Sequence, residues 1–233
     1  MSAQLIGAMR ARFRRYGSGM SDFPGDVFTE PKYDVHTIKN LGPLTGLAGI
    51  WEGTRGVDVH PEVEGPLKQA FHERIELQPI DPQTNGPQLL YGLRYHARIV
   101  KVGEDKTFHD QVGYWLWEPA TETVILTLSI PRGQTAMALG KTTANAKTFE
   151  VVAKRGSTVN GICSNPFLEF AYKTTEFRMA VTVHDDGSWS YDEETILVIH
   201  GQSEPFRHTD RNTLKRVGEP TPNPYALPGA IGS

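Results

Sequence analysis

Eight histidines are the side chains of this chain best suited to chemistry, because an imidazole serves both as a base near neutral pH and as a metal ligand. Six sit where a surface or structural role suffices. His36 and His60 adjoin turn-rich segments, His72, His96 and His184 alternate with charged or polar residues, and His200 ends an apolar run before Gly201. His208 stands apart. In the run Pro205 to Arg216, Phe206, His208, Asp210, Asn212 and Leu214 share one face of a strand, and Arg207, Thr209, Arg211, Thr213 and Lys215 the other. Three long cations are not buried without partners, so the second face is the wet one and His208 points inward. An inward histidine needs a partner, and two answers stay open: a structural hydrogen bond, or a bound metal or cofactor. His109 begins the aromatic run Phe108 to Trp117, where Phe108, Val112, Tyr114 and Leu116 make the face opposite His109 the more apolar one.

Other familiar chemistry is missing. The chain has no G-x-G-x-x-G, H-E-x-x-H or G-x-S-x-G. The stretch Gly133 to Thr142 ends in Gly-Lys-Thr like a phosphate loop, but six residues separate its glycines instead of four, and both flanks read as strands.

The elements that must position these residues are short β-type runs from Gly49 onward, near 49–59, 70–78, 88–101, 108–117, 122–130, 133–141, 147–155, 174–184, 188–199 and 205–216. Turn chemistry separates them: Asn85-Gly86-Pro87, Glu118-Pro119 and Pro131-Arg132-Gly133 supply turn backbone or block a ladder N–H. Asp185-Asp186-Gly187-Ser188 between two alternating runs reads as a hairpin. Ten such strands without a long helix between them predict an all-β fold: a single ten-stranded antiparallel up-and-down β-barrel over residues 46–216. Closure removes the exposed edges and leaves room for one small ligand. A two-sheet sandwich is the alternative.

Residues 1–45 read as an N-terminal extension. The first 19 are expected to be disordered: they carry Arg10, Arg12, Arg14 and Arg15 and no acid, and Met20 is a plausible start. A short helical turn is expected near Val35–Leu41. Residues 217–233 form a Pro-rich C-terminal tail.

Composition excludes several classes. A net charge of −3 lacks the surplus of clustered cations that a nucleic-acid partner requires. One cysteine, Cys163, makes neither an internal disulfide nor a Cys-rich zinc site, which fits a reducing, cytoplasmic setting. No run of about 18 apolar residues offers a membrane span.

Three segments then resemble a known family, the nitrobindins, haem-binding barrels related in shape to fatty-acid-binding proteins. Gly49-Ile50-Trp51-Glu52-Gly53-Thr54-Arg55 is similar to their G-x-W-x-G-x-G opening strand, and Phe108-His109-Asp110-Gln111-Val112-Gly113-Tyr114 to their H-x-E-x-G-[YF] strand. His208 with Leu214 and Arg216 resembles the closing strand that supplies the axial histidine. The resemblance covers about residues 46–216. It implies a ferric b-type haem in the barrel mouth, nitric oxide binding and haem-dependent isomerisation of peroxynitrite to nitrate. His208 would be the axial iron ligand, Thr54 a haem contact and His109 a residue lining the pocket. Two positions depart: Arg55 stands where the last glycine belongs, with Gly56 one residue late, and Gln111 replaces the usual acid. Both bear on the shape of the pocket. The alternative is a haem-free carrier of a small apolar molecule. The partner expected in either case is a small molecule; the sequence leaves the oligomeric state open, with a homodimer as one candidate.

Overall fold

The computed structural model describes residues 24–223. The basic N-terminus with Met20, and residues 224–233 of the tail, lie outside the described residues. Twelve strands follow in chain order: β1 (Gly49–Glu62), β2 (Gly65–Pro79), β3 (Gln83–Asn85), β4 (Gln88–Lys101), β5 (Thr107–Glu118) and β6 (Thr123–Ile130), then β7 (Gln134–Lys141), β8 (Thr148–Lys154), β9 (Ile162–Ser164), β10 (Tyr172–Val183), β11 (Trp189–Ile199) and β12 (Phe206–Gly218). Two short helices accompany them, α1 (Thr37–Asn40) and α2 (Pro166–Ala171).

Ten strands form a closed antiparallel ring, and the barrel expected from the alternation is present. Sequential neighbours pair around the wall, β12 returns to β1, and β2 pairs β4 from Phe71↔Lys101 to Pro79↔Leu93. The remaining two strands lie off the ring. β3 is a small hairpin on β4 turned by Gly86, and it accounts for the insertion Asp81–Pro87. β9 pairs the start of β7 and precedes α2. Neither was expected from the sequence, since three residues carry too little alternation to register. The first hairpin also runs further than expected, with Pro61 opposite Pro66 at its tip. Proline has no ladder N–H to donate, and the pair lies at the end of the hairpin, where few ladder bonds are lost.

Alternation sets the facing. Phe177, Met179 and Val181 of β10, which repeat with period two, are buried within the barrel. On β5 the outcome is the reverse of the simple apolar count. Val112 and Tyr114 are exposed, while His109, Gln111, Gly113, Trp115 and Trp117 share the inward parity. The two tryptophans hold that face in the core, because they bury the larger apolar area.

One end of the barrel is plugged. Leu41, Leu44 and Leu47, in and just before a 3-10 turn over Gly42–Leu47, are fully buried. Part of the N-terminal extension is therefore core, and α1 lies where the short helical turn was expected. Trp51 of β1 closes this floor. Its Nε1 donates to the Leu47 carbonyl at 2.7 Å, its ring meets Trp189 edge-on at 6.2 Å, and the Arg216 guanidinium lies 4.6 Å from its centroid. No helix among the described residues is long and apolar enough to cross a membrane.

Candidate ligand-binding site

Above the plug the barrel holds a cavity of about 520 Å³, within the usual range for a small-molecule site. Its open end lies between the end of β1, the starts of β5 and β7, and α2; His60, Phe108, Arg132 and Phe167 stand there. Asn165 caps α2, its Oδ1 accepting from the Leu168 amide at 3.0 Å and its Nδ2 donating to the Arg132 carbonyl at 2.6 Å. That cap ties the helix to the rim.

The wall built by β11, β12 and β1 carries polar side chains in registered layers. Trp189 faces Leu214 at the floor, Tyr191 faces Asn212 above it, then Glu193 faces Asp210, and Thr195 faces His208. Asp58 of β1 extends the third layer, opposite Asp210. Three carboxyl groups from three adjacent strands thus lie side by side at one height, an arrangement that like-charge repulsion opposes.

His208 and Asp58 form the best-defined pair. His208 Nε2 donates to Asp58 Oδ1 at 2.7 Å, and His60 Nδ1 donates to the other carboxylate oxygen at 2.5 Å. Burial alone would raise the Asp58 carboxyl, but the bonds and charges of His208 and His60 hold it below the ordinary aspartate value. Burial likewise opposes the His208 imidazolium, and the bond and charge of Asp58 outweigh it, leaving the histidine above its ordinary value. Both shifts favour the ionised pair. His208 Nδ1 makes no hydrogen bond among the described residues. An imidazole with one nitrogen tied to a carboxylate and the other unengaged is the donor that metal centres take.

The other carboxyls behave differently. Glu73 of β2 accepts from Tyr191 Oη at 2.9 Å and from Asn212 Nδ2 at 3.0 Å, and burial pushes it up to about 8. Burial also raises Asp210, although His208 pulls against it, and it raises Glu193, with the charge of Asp210 adding to the effect.

Across the cavity, His109 Nε2 donates to Gln111 Oε1 at 3.2 Å, and Gln111 Nε2 donates to Tyr95 Oη at 2.8 Å. Burial lowers the His109 value and raises that of Tyr95, so the imidazole is neutral and the phenol keeps its proton. The Gln111 side chain that departs from the family pattern is the link in this chain. A carboxylate there would accept from both neighbours; the amide accepts from one and donates to the other.

The structure brings His208 and His109 into one cavity and leaves Thr54 out of it. Register shifts in β1, between Gly53 and Gly56 against β2 and between Glu52 and Val57 against β12, push Thr54 and Arg55 outward, where both are exposed. Gly53 and Gly56 both face inward. A methyl group on Gly53 would sit 2.3 Å from Asn212 Nδ2, and one on Gly56 2.1 Å from the Phe71 ring. The glycines of the opening motif thus make room for buried Asn212 and for Phe71 of the cavity lining. The extra residue that Arg55 represents is absorbed as a bulge.

Sequence reasoning missed Asp58, His60, Glu73, Glu193, Tyr95 and Tyr191 as site residues. The signal was present for some. Glu73 shares parity with Phe71, Ile75 and Leu77, and Glu193 with Trp189, Tyr191 and Leu197, so each was an acid on an apolar face. Asp58 and His60 lie past the bulge, where counting from Trp51 gives no safe facing.

Comparisons with known proteins agree with this architecture. The family model described as "THAP4-like, heme-binding beta-barrel domain" matches residues 40–216. The crystal structure of Rv2717c from M. tuberculosis has the same fold, with a TM-score of 0.55 and 22% sequence identity, covering 78% of this chain and 97% of that one. No curated protein sequence matches the chain.

Proposed function

From the premise that the chain belongs to the THAP4-like, heme-binding β-barrel domain family, the nitrobindins its motifs resemble, we propose that its cavity binds haem b through His208 and handles reactive nitrogen species. The observation that carries this is the His208 imidazole, facing a small-molecule cavity with one nitrogen tied to Asp58 and the other unengaged. The residues present fit the group. An imidazole is a common axial donor to haem iron, and because iron takes the unhindered Nε2, His208 would exchange its bond to Asp58 for the iron.

Ferric haem, when bound, supplies a Lewis-acidic iron with an open position for nitric oxide or peroxynitrite. The chain's own residues do the rest. Asp58 holds His208 at the cavity wall until the imidazole is taken up by a ligand. Trp115, Leu126, Leu128 and Phe177 line the cavity with apolar surface that excludes water. Tyr95, whose oxygen already accepts from Gln111, has its own proton to offer an anionic oxidant. Neutral His109 is fixed by Gln111 and brings no charge of its own. Conversion of peroxynitrite to nitrate breaks one O–O bond and forms one N–O bond within the same molecule, so no further reactant is needed.

Titration of the purified chain with hemin tests the reading. A Soret band should develop in the wild type and be lost or displaced in His208→Ala; an identical spectrum in that variant would remove the axial assignment. Stopped-flow decay of peroxynitrite should then be accelerated by the ferric protein with nitrate as product. Decay at the buffer rate would leave nitric oxide binding alone.

A second reading has one observation in its favour: Phe167, Phe170 and Tyr172 at and beside the mouth expose apolar rings to solvent. That rim suits a haem-free carrier of a small apolar molecule. A wild type that takes up no hemin but retains an apolar fluorophore would select it.

A further inference from the structure

We infer that the haem-free barrel binds one divalent transition-metal ion, of the zinc or cobalt kind, through Asp58 Oδ1, His208 Nε2 and a carboxylate oxygen of Asp210. The inference goes beyond the haem reading and does not depend on it. One donor atom from each of Asp58, His208 and Asp210 lies within 4.8 Å of the other two. Ligand atoms around a tetrahedral ion with bonds of roughly 2.0–2.2 Å stand about 3.3–3.6 Å apart, so small side-chain rotations close the set.

The charge around these groups calls for a cation. Asp58 faces Asp210 across one strand pair and Asp210 faces Glu193 across the next. Like charges directly opposite each other are destabilising in a sheet, yet no Lys or Arg among the described residues ion-pairs with any of the three carboxyls. The Lys and Arg of the cavity lining, Lys101 and Arg132, lie instead against the Phe108 ring at the rim, 4.8 and 5.8 Å from its centroid. Glu193 lines the same cavity and makes no hydrogen bond among the described residues. A doubly charged ion is the partner that these side chains lack.

The surrounding bonds suit a metal site. Asp58 Oδ2 accepts from His60 Nδ1 at 2.5 Å, which fixes the carboxylate plane and leaves Oδ1 for the ion; ligating carboxylates are normally hydrogen-bonded in this way. The 2.7 Å bond from His208 Nε2 to Asp58 Oδ1 marks the position, since the ion takes the place of the bonding proton, which leaves to solvent. One imidazole with two carboxylates suits zinc, cobalt(II), manganese or ferrous iron. Calcium prefers about six to eight oxygens and copper(I) prefers sulfur. All three ligands line the cavity, so a fourth position faces the space that a small molecule enters. Haem iron needs the same nitrogen of His208, and the ion therefore belongs to the haem-free barrel.

The test uses the full chain, free of any affinity tag and stripped with EDTA, titrated with zinc chloride by calorimetry and with cobalt(II) chloride by visible absorption. Wild type should bind one equivalent of either ion, show the visible bands of ligated cobalt, and melt at a higher temperature with zinc than without. Each variant is first checked for a native circular dichroism spectrum. His208→Ala, Asp58→Asn and Asp210→Asn should each weaken zinc binding by at least about 100-fold, and His60→Ala, which removes only the support on Oδ2, by roughly 10-fold. Asp210→Asn serves if the Asp58 variant fails to fold, because it removes one of the opposed charges. His96→Ala, beside Asp110 on the outer face, should bind zinc as wild type does. A wild type that takes up no zinc, or undiminished uptake in His208→Ala and Asp210→Asn, would overturn the inference and leave the haem reading standing. Zinc bound at these residues by a chain that takes up no hemin would support it and remove the haem reading.

Discussion

Along β11, β12, β1 and β2 the inward positions include Tyr191, Glu193, His208, Asp210, Asn212, Asp58 and Glu73; along β4 to β8 and β10 they include Ala97, Trp115, Leu126, Leu128, Ala138, Val151, Phe177 and Met179. The two walls enclose the same cavity under different physical rules. Each large side chain on the second wall contributes roughly 1.5–3 kcal/mol by leaving water, and it needs no partner. The polar groups of the first wall cost free energy to bury, and Asp58, Glu73 and Asn212 are held there by named donors and acceptors. Apart from the His109–Gln111–Tyr95 chain on β4 and β5, the second wall supports the fold, and the first presents chemistry that the fold tolerates.

The strongest way to break that contrast is to place an acid on the supporting wall. Leu126 is fully buried, with cross-strand neighbours Trp115 and Ala138 that offer a carboxylate no cation and at most the indole N–H of Trp115. Leu126→Asp should cost at least about 4 kcal/mol, enough to abolish cooperative unfolding in a domain of ordinary stability. Urea denaturation followed by tryptophan fluorescence measures it. A cooperative transition near the wild-type midpoint would mean that the walls do not differ in the way described.

A smaller effect tests the polar wall from within. Glu73 rises from 4.5 in the unfolded chain to about 8 in the barrel. The folded state therefore keeps a proton that the unfolded state releases. The contribution of Glu73 to stability is greatest below about 4.5, falls as pH rises toward 8 and is flat above it, a loss on the order of a few kcal/mol. Glu73→Gln keeps an acceptor for Tyr191 and Asn212 and has no proton to lose. It should flatten this window and leave the variant more stable than wild type at pH 8, with little difference at pH 4.5. Unfolding of both proteins at the two pH values decides it: a difference between wild type and Glu73→Gln that is the same at pH 4.5 and pH 8 would show that Glu73 is ionised in the barrel.

The contrast also explains what could be read from the sequence. The supporting wall was legible, because Phe177, Met179 and Val181 repeat with period two and burial of apolar residues leaves that trace. The ring followed from ten such runs and the turn residues between them. The polar wall was legible only where an outward face was unmistakable, as with Arg207, Arg211 and Lys215 opposite His208. On β5 the apolar count pointed the wrong way, because Val112 and Tyr114 are surface residues and the tryptophans decide the facing. Short elements without periodicity, β3, β9 and α2, left no trace. The Asp58–His208 bond joins residues 150 positions apart and depends on where a bulge falls in β1. No local pattern contains that information.

The bulge itself supplies the smallest expected effect and the sharpest boundary between inside and outside. The family resemblance makes Thr54 a haem contact, whereas in this barrel Gly53 faces the cavity and the next two residues face solvent. Regular alternation would have returned Arg55 to the interior, and an extra residue in the strand removes that need. Thr54→Ala should therefore change neither hemin affinity nor the Soret maximum, and an exposed threonine in a bulge should shift stability by no more than about 0.5 kcal/mol. Equilibrium hemin titration against wild type reads this directly. A tenfold loss of affinity in Thr54→Ala would mean that β1 pairs in a different register when haem is bound, which would move Asp58 to the other face and dissolve the polar wall at its centre.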